Sequence, residues 1–174
     1  MGFKISWIGF DGPSKPEVLA IAGLQDTGQP DEVNEAPFSG AEFPGGWFIL
    51  FSNDFDFVTR ERLTKLSTAC RIVACQVHEG VMVSAAYGYE RGRCAWELGH
   101  DAQQDIYDLT VTGLPPPPFN SIRRRLTQQQ ESTTGDVDYI FGIPVVVAES
   151  VCNYRHDRWM YDWGHPQFTR LTAR

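Results

Sequence analysis

Three strand-like runs follow one another almost without interruption: RIVACQVH (71–78), VMVSAAYGYE (81–90) and RCAWELG (93–99). They are joined by Glu79-Gly80 and Arg91-Gly92, connections that are short and carry glycine. Turns this short reverse the chain only between antiparallel neighbours, and glycine supplies the positive φ they need. A further run, DIYDLTV (105–111), sets Tyr107, Leu109 and Val111 on one face against Ile106, Asp108 and Thr110 on the other. Residues 71–111 therefore read as an antiparallel meander, a sheet type that can leave one face to water.

The flanking sequence adds helices before and after it. FKISWIGF (3–10) is aromatic and β-branched, as a central strand would be, and Ser14 with Glu17 forms a capping box for a helix over 15–22 that stops at Gly23. GWFILFS (46–52) reads as a strand, and 59–70 as a helix with Leu63 and Leu66 on one side. The prolines 115–118 make a stiff spacer into a helix over 119–131, with Ile122, Leu126 and Gln129 inward. A last helix spans 144–154 on Val147, Val151 and Tyr154, and 168–172 is a candidate final strand. Residues 25–46, with four glycines, three prolines and no periodicity, read as one long loop. The expected fold class is α+β, a mainly antiparallel sheet with helices packed on one face.

At 174 residues, 42% of them hydrophobic, the chain suits one globular domain. MGFKISWIGFDG lacks the pattern of a signal peptide, and no apolar run reaches the roughly 20 residues needed to span a bilayer. A cytoplasmic protein is expected, with Cys70, Cys75, Cys94 and Cys152 as buried apolar residues or free thiols. Their spacing is poor for zinc, so no metal or cofactor is expected.

Charge is distributed unevenly. Of a net −7, residues 11–60 hold nine acids (Asp11, Glu17, Asp26, Asp31, Glu32, Glu35, Glu42, Asp54, Asp56) against Lys15 and Arg60, while the remainder balances. Such a segment repels phosphate, which disfavours nucleic acid, and steers basic proteins toward it. Phe38, Phe43, Trp47, Phe55 and Phe57 lie among these acids and could anchor a partner. In the plainer alternative the acids solvate a surface loop while the aromatics pack inward.

The stretch DTGQPDEVNEAPFSGAEFPGGW, together with VACQVHEGVMVSAA and the later YRHD, resembles a group of small uncharacterised bacterial proteins over most of the chain. The resemblance implies a bacterial cytoplasmic protein and attaches no activity to any residue.

Asp54-Phe55-Asp56 has a spacing compatible with a divalent ion, but acids just before Thr59 also suit helix capping. His100-Asp101 could supply a base and an acid, yet neighbours on an extended chain point to opposite faces, and a lone histidine at a strand end is more often a surface or capping residue. Cys75 in an apolar strand is a poor nucleophile, and no GxSxG, HExxH, Walker or Rossmann signature occurs. Arg123-Arg124-Arg125 fans around a helix as a solvated face, or else contacts the acidic loop within or between subunits. Trp159, Tyr161, Trp163 and Pro166 form an aromatic tail lying over the core or, if exposed, an interaction patch.

The leading expectation is a non-enzymatic protein, regulator- or immunity-like, that binds a basic macromolecule through 25–57, with Asp31, Glu32, Glu35, Trp47, Asn53, Asp54 and Asp56 as the contact residues. The alternative is an enzyme or small-ligand binder with a pocket between that loop and the sheet, served by Asp54, Asp56, Glu35 or the acid–base candidates His100 and Asp101. Edge strands and the aromatic tail also leave a homo-oligomer open.

Overall fold

In a computed structural model describing residues 2–174, nine strands form one antiparallel sheet in the order β2-β9-β3-β4-β1-β5-β6-β7-β8. The strands are β1 (Lys4–Asp11), β2 (Leu24–Pro30), β3 (Phe38–Phe43), β4 (Trp47–Ser52), β5 (Arg71–His78), β6 (Val83–Glu90), β7 (Arg93–Asp101), β8 (Thr110–Gly113) and β9 (Thr169–Ala173). The helices are α1 (Lys15–Ala22), α2 (Arg60–Leu66), α3 (Phe119–Ser132) and α4 (Gly142–Cys152). The architecture is α+β. No helix is long and apolar enough to cross a membrane among the described residues.

β1 is the centre of the sheet. Trp7 lies opposite Phe51 of β4 and Cys75 of β5, and six of the eight β1 residues are buried. Side chains alternate across a strand, so Ile5 and Trp7 enter one core with Ile49, Phe51, Val73 and Val77. Ile8 and Phe10 enter another with Phe48, Leu50, Ile72 and Ala74. Helices α3 and α4 close the first core through Phe119, Ile122, Leu126, Ile143 and Val147. Helices α1 and α2 close the second through Val18, Leu19, Leu63 and Leu66. Helices thus cover both faces, not one. Strands buried on two sides need apolar residues at every position, which is why WFILFS and RIVACQV lack alternation. The β6–β8 part of the sheet keeps a half-exposed face, with Ala85, Tyr87 and Glu97.

Helix ends follow local chemistry. Glu17 Oε2 accepts from Ser14 N and Ser14 Oγ, both at 2.7 Å, and Gly23 closes α1 in the left-handed region at φ 71°. Thr59 Oγ1 accepts from Arg62 N at 3.1 Å to start α2. On α3 the inward residue is Gln130, not Gln129; its amide accepts from Tyr139 N at 2.7 Å and donates to Val137 O at 3.1 Å, seating the connection to α4.

Two expectations are overturned. The long loop over 25–46 contains β2 and β3, leaving only 31–37 and 44–46 outside strands. β2 is an edge strand exposed at every residue but Leu24, so no hydrophobic pattern announces it; pairing with β9 makes it a strand. In β3, Gly40 is a packing residue, because a Cβ there would stand 2.5 Å from Phe48 Cζ. The strand expected at 105–111 begins only at Thr110. Asp101 and Asp105 accept from the backbone N–H groups of Gln103 (2.9 Å) and Tyr107 (2.7 Å), and these carboxylate-capped turns compete with extended pairing.

Gly40→Ala should lower stability by about 1–3 kcal/mol through overpacking. Gly135→Ala, whose Cβ would meet nothing nearer than Thr133 Oγ1 at 4.0 Å, should stay within about 0.5 kcal/mol. Urea unfolding midpoints of the two variants check the contrast.

Candidate functional site

The acids of the first third meet different fates. Asp11 pairs with Arg71 of β5 at 2.8 Å, and Asp26 with Lys15 at 2.5 Å. Asp31 is 3% exposed and serves the backbone: its two oxygens accept from Glu35 N (3.0 Å) and Ala36 N (3.1 Å), while its own N–H donates to Phe168 O at 2.9 Å. Asp54 Oδ1 accepts from Asp56 N at 2.9 Å, capping the 3-10 turn Phe55–Phe57. The two carboxylates therefore do not converge. No group of three or more His, Cys, Asp or Glu side chains that could hold a metal ion occurs among the described residues. Glu32, Glu35, Glu42 and Asp56 are exposed and make no ion pair among the described residues.

The aromatics expected as anchors are structural. Phe43 meets Tyr154, Tyr161, Trp163 and Phe168, each with its centroid 5.2–6.2 Å away. Trp47 is buried against Gly9 and beneath Arg71, Phe38 packs on Phe57, and Phe55 packs on His78. Asn53 is a brace: its Nδ2 donates to Asn34 O and Ala36 O, both at 2.7 Å, and holds residues 31–37 against β4. Arg123, Arg124 and Arg125 form no ion pair with the acidic segment, so the internal contact considered for them is not made.

His100 is neither a surface residue nor a partner of Asp101. It is 2% exposed; Nδ1 donates to Asp108 O at 2.6 Å, and Nε2 faces Asp138 Oδ2 at 2.8 Å. The contact ties β7 to the turn before β8 and to the lead-in of α4. A sequence separation of 38 hides it from local reading. Burial pushes the Cys152 thiol up to about 12 and raises Cys75 further, so neither is a nucleophile near neutrality.

One cavity, of about 320 Å³, lies between two segments that local patterns do not connect. One wall is Glu32, Val33 and Asn34; the other includes Tyr154, His156, Arg158, Trp159, His165 and Phe168. None of Asp54, Asp56, Glu35, His100 or Asp101 lines it. The first wall is fixed by Asp31, by Asn53 and by Ser39 Oγ, which donates to Asn34 Oδ1 at 2.7 Å. The second is fixed by Arg158 on Glu149 (2.7 Å), Arg155 on Asp157 (2.6 Å) and His165 Nδ1 donating to Trp159 O (2.7 Å).

The aromatic tail thus divides. Tyr154, Tyr161 and Phe168 join the core, whereas Val33, Trp159 and Met160 stand 65%, 59% and 58% exposed at or beside the cavity. His156 is buried edge-on to Phe3 at 4.9 Å, and neither ring nitrogen has a hydrogen-bond partner among the described residues. Burial holds its imidazole below the ordinary 6.5; Asp157 and Glu79 oppose that shift and Arg155 adds to it.

Two predictions follow from these histidines. His100→Ala leaves the Asp138 carboxylate, 7% exposed, without its partner. It should cost about 1–3 kcal/mol in urea unfolding, the scale of a buried acceptor that loses its donor. For His156 the unfolded chain binds the proton more readily than the fold does. Its contribution to stability is therefore present above pH 6.5 and lost as pH falls below that value. His156→Phe should flatten the fall in Tm between neutral and mildly acidic buffer, and an unchanged slope would assign the acid sensitivity to other groups.

No protein-family model, no curated protein and no solved structure matches this chain.

Proposed function

We propose that this chain is a non-catalytic binding protein, regulator- or immunity-like, that engages a basic macromolecular partner on the face built by residues 31–35 and 154–166. One observation carries the reading: Glu32, exposed and without a cation among the described residues, lines a cavity with the exposed Val33 and Trp159, and the exposed Glu35 and Met160 belong to the same two segments. Unpaired carboxylates steer a cationic partner to the surface. Desolvation of a large aromatic and its aliphatic neighbours then supplies affinity that charge alone does not. The same charge disfavours phosphate-bearing nucleic acid. Four unpaired thiols suit a reducing compartment, which supports a cytoplasmic setting.

A second reading, a small-ligand site, is favoured by the same cavity with His156 in its wall. At about 320 Å³ it lies at the low end of the roughly 300–1,000 Å³ range for ligand pockets. A thermal-shift panel of metabolites, with His156→Phe as control, separates the two.

The partner reading is tested by affinity capture from host extract with the wild type and with Glu32→Lys/Glu35→Lys. The captured protein should be basic, elute with salt, and associate at least about tenfold more slowly with the reversed variant. Recovery indifferent to both salt and charge reversal would overturn the reading.

A further inference from the structure

We infer that the cavity between Glu32–Asn34 and Tyr154–Phe168 seats an arginine side chain of the partner, its guanidinium held by Glu32 and stacked on Trp159. The inference rests on the partner reading and names what the cavity takes. Only Glu32 and Arg158 among the lining residues carry a full, opposite pair of formal charges, and Arg158 is already engaged by Glu149 at 2.7 Å and lies over the Tyr161 ring at 5.5 Å. The neighbouring Arg155 is likewise held, by Asp157 at 2.6 Å. Glu32 is thus the lining carboxylate left without a cation among the described residues, and Glu35 in the same segment adds charge of the same sign.

The remaining wall is mixed: Asn34, His156, His165 and Gln167 are polar, and the rest is apolar or aromatic. Tyr154 and Phe168 form the core side, Val33 the loop side, and Trp159 is 59% exposed. His156 brings no opposing charge, because burial favours its neutral form. An arginine matches each part: its three-carbon stem covers apolar surface, its planar head stacks on an aromatic face, and its paired N–H groups meet a carboxylate side-on. Lysine, a compact and strongly hydrated ammonium, would leave the Trp159 face underused.

The test uses the full-length chain, isotope-labelled for NMR, titrated with Nα-acetyl-arginine amide and with its neutral isostere Nα-acetyl-citrulline amide. Saturable shifts confined to residues 31–35 and 154–168, given by the arginine derivative and not by citrulline, are expected. Glu32→Gln should weaken them at least about threefold, the scale of an exposed ion pair. Trp159→Ala should weaken them by a similar factor. Both side chains are exposed, so both variants keep the fold. Equal response to the two derivatives, or none, overturns the inference. If the arginine derivative binds here while capture of a basic partner ignores charge reversal, the cavity assignment stands and the partner reading falls. If a basic partner is captured but neither Trp159→Ala nor competing arginine derivative releases it, the partner reading stands and the cavity assignment falls.

Discussion

Both sides of β1 are sealed from water, and the rest of the molecule is arranged to keep them so. Ile5 and Trp7 look into one layer of helices, Ile8 and Phe10 into the other, and all four are 3% exposed or less. Trp7 meets Tyr154 edge-on with ring centroids 5.0 Å apart. Each such side chain contributes roughly 1.5–3 kcal/mol when fully buried. A sheet with only one covered face would give up half of that along three central strands. The sequence therefore needs helices on both sides, and supplies two from the segments between β1 and β5 and two from the segment after β8.

The layer that contains α4 explains the position of the cavity. α4 covers β5, β6 and β7 and ends at Cys152, with Asn153 in the left-handed region at φ 58° reversing the chain. The sheet still has uncovered apolar surface toward β4 and β3, marked by Phe43. Residues 154–168 cross that surface, inserting Tyr154, Tyr161 and Phe168 before entering the sheet as β9. A segment whose alternate aromatics are consumed by the core must turn its others outward, which leaves Trp159 exposed beside residues 31–35. The cavity is the space where the two crossings meet.

How much of this can be read from residues depends on the range of the interaction. The Ser14–Glu17 box, the Thr59 cap, the glycine-bearing hairpins and the helical face of Ile122 and Leu126 are local signals, and each element stands close to its expected place. β2 is not legible because its strand state comes from β9, remote in the chain, whereas β3 pairs with β9 and also with its neighbour β4 across residues 44–46, and Ser39 and Gly40 interrupt its apolar pattern. Gly40 and Gly28 look alike in sequence. In the fold the first permits close packing, and the second sits in a left-handed turn at φ 71° on a bulged edge. The contact of His100 with Asp138 is likewise formed by tertiary packing, so local rules that place a lone histidine at the surface fail there.

The charge asymmetry of the first third is a property of composition and was fixed before folding. Which acids remain free was decided by packing: Asp11 and Asp26 acquired cations, Asp31 and Asp54 were consumed by backbone N–H groups, and Glu32 and Glu35 were left to solvent. The residues alone determined an antiparallel α+β fold, because hairpin turns and helix caps are satisfied within a few positions. The tertiary structure alone decided where loop and tail meet, because two segments more than a hundred residues apart share a wall only after the sheet has brought β9 between β2 and β3.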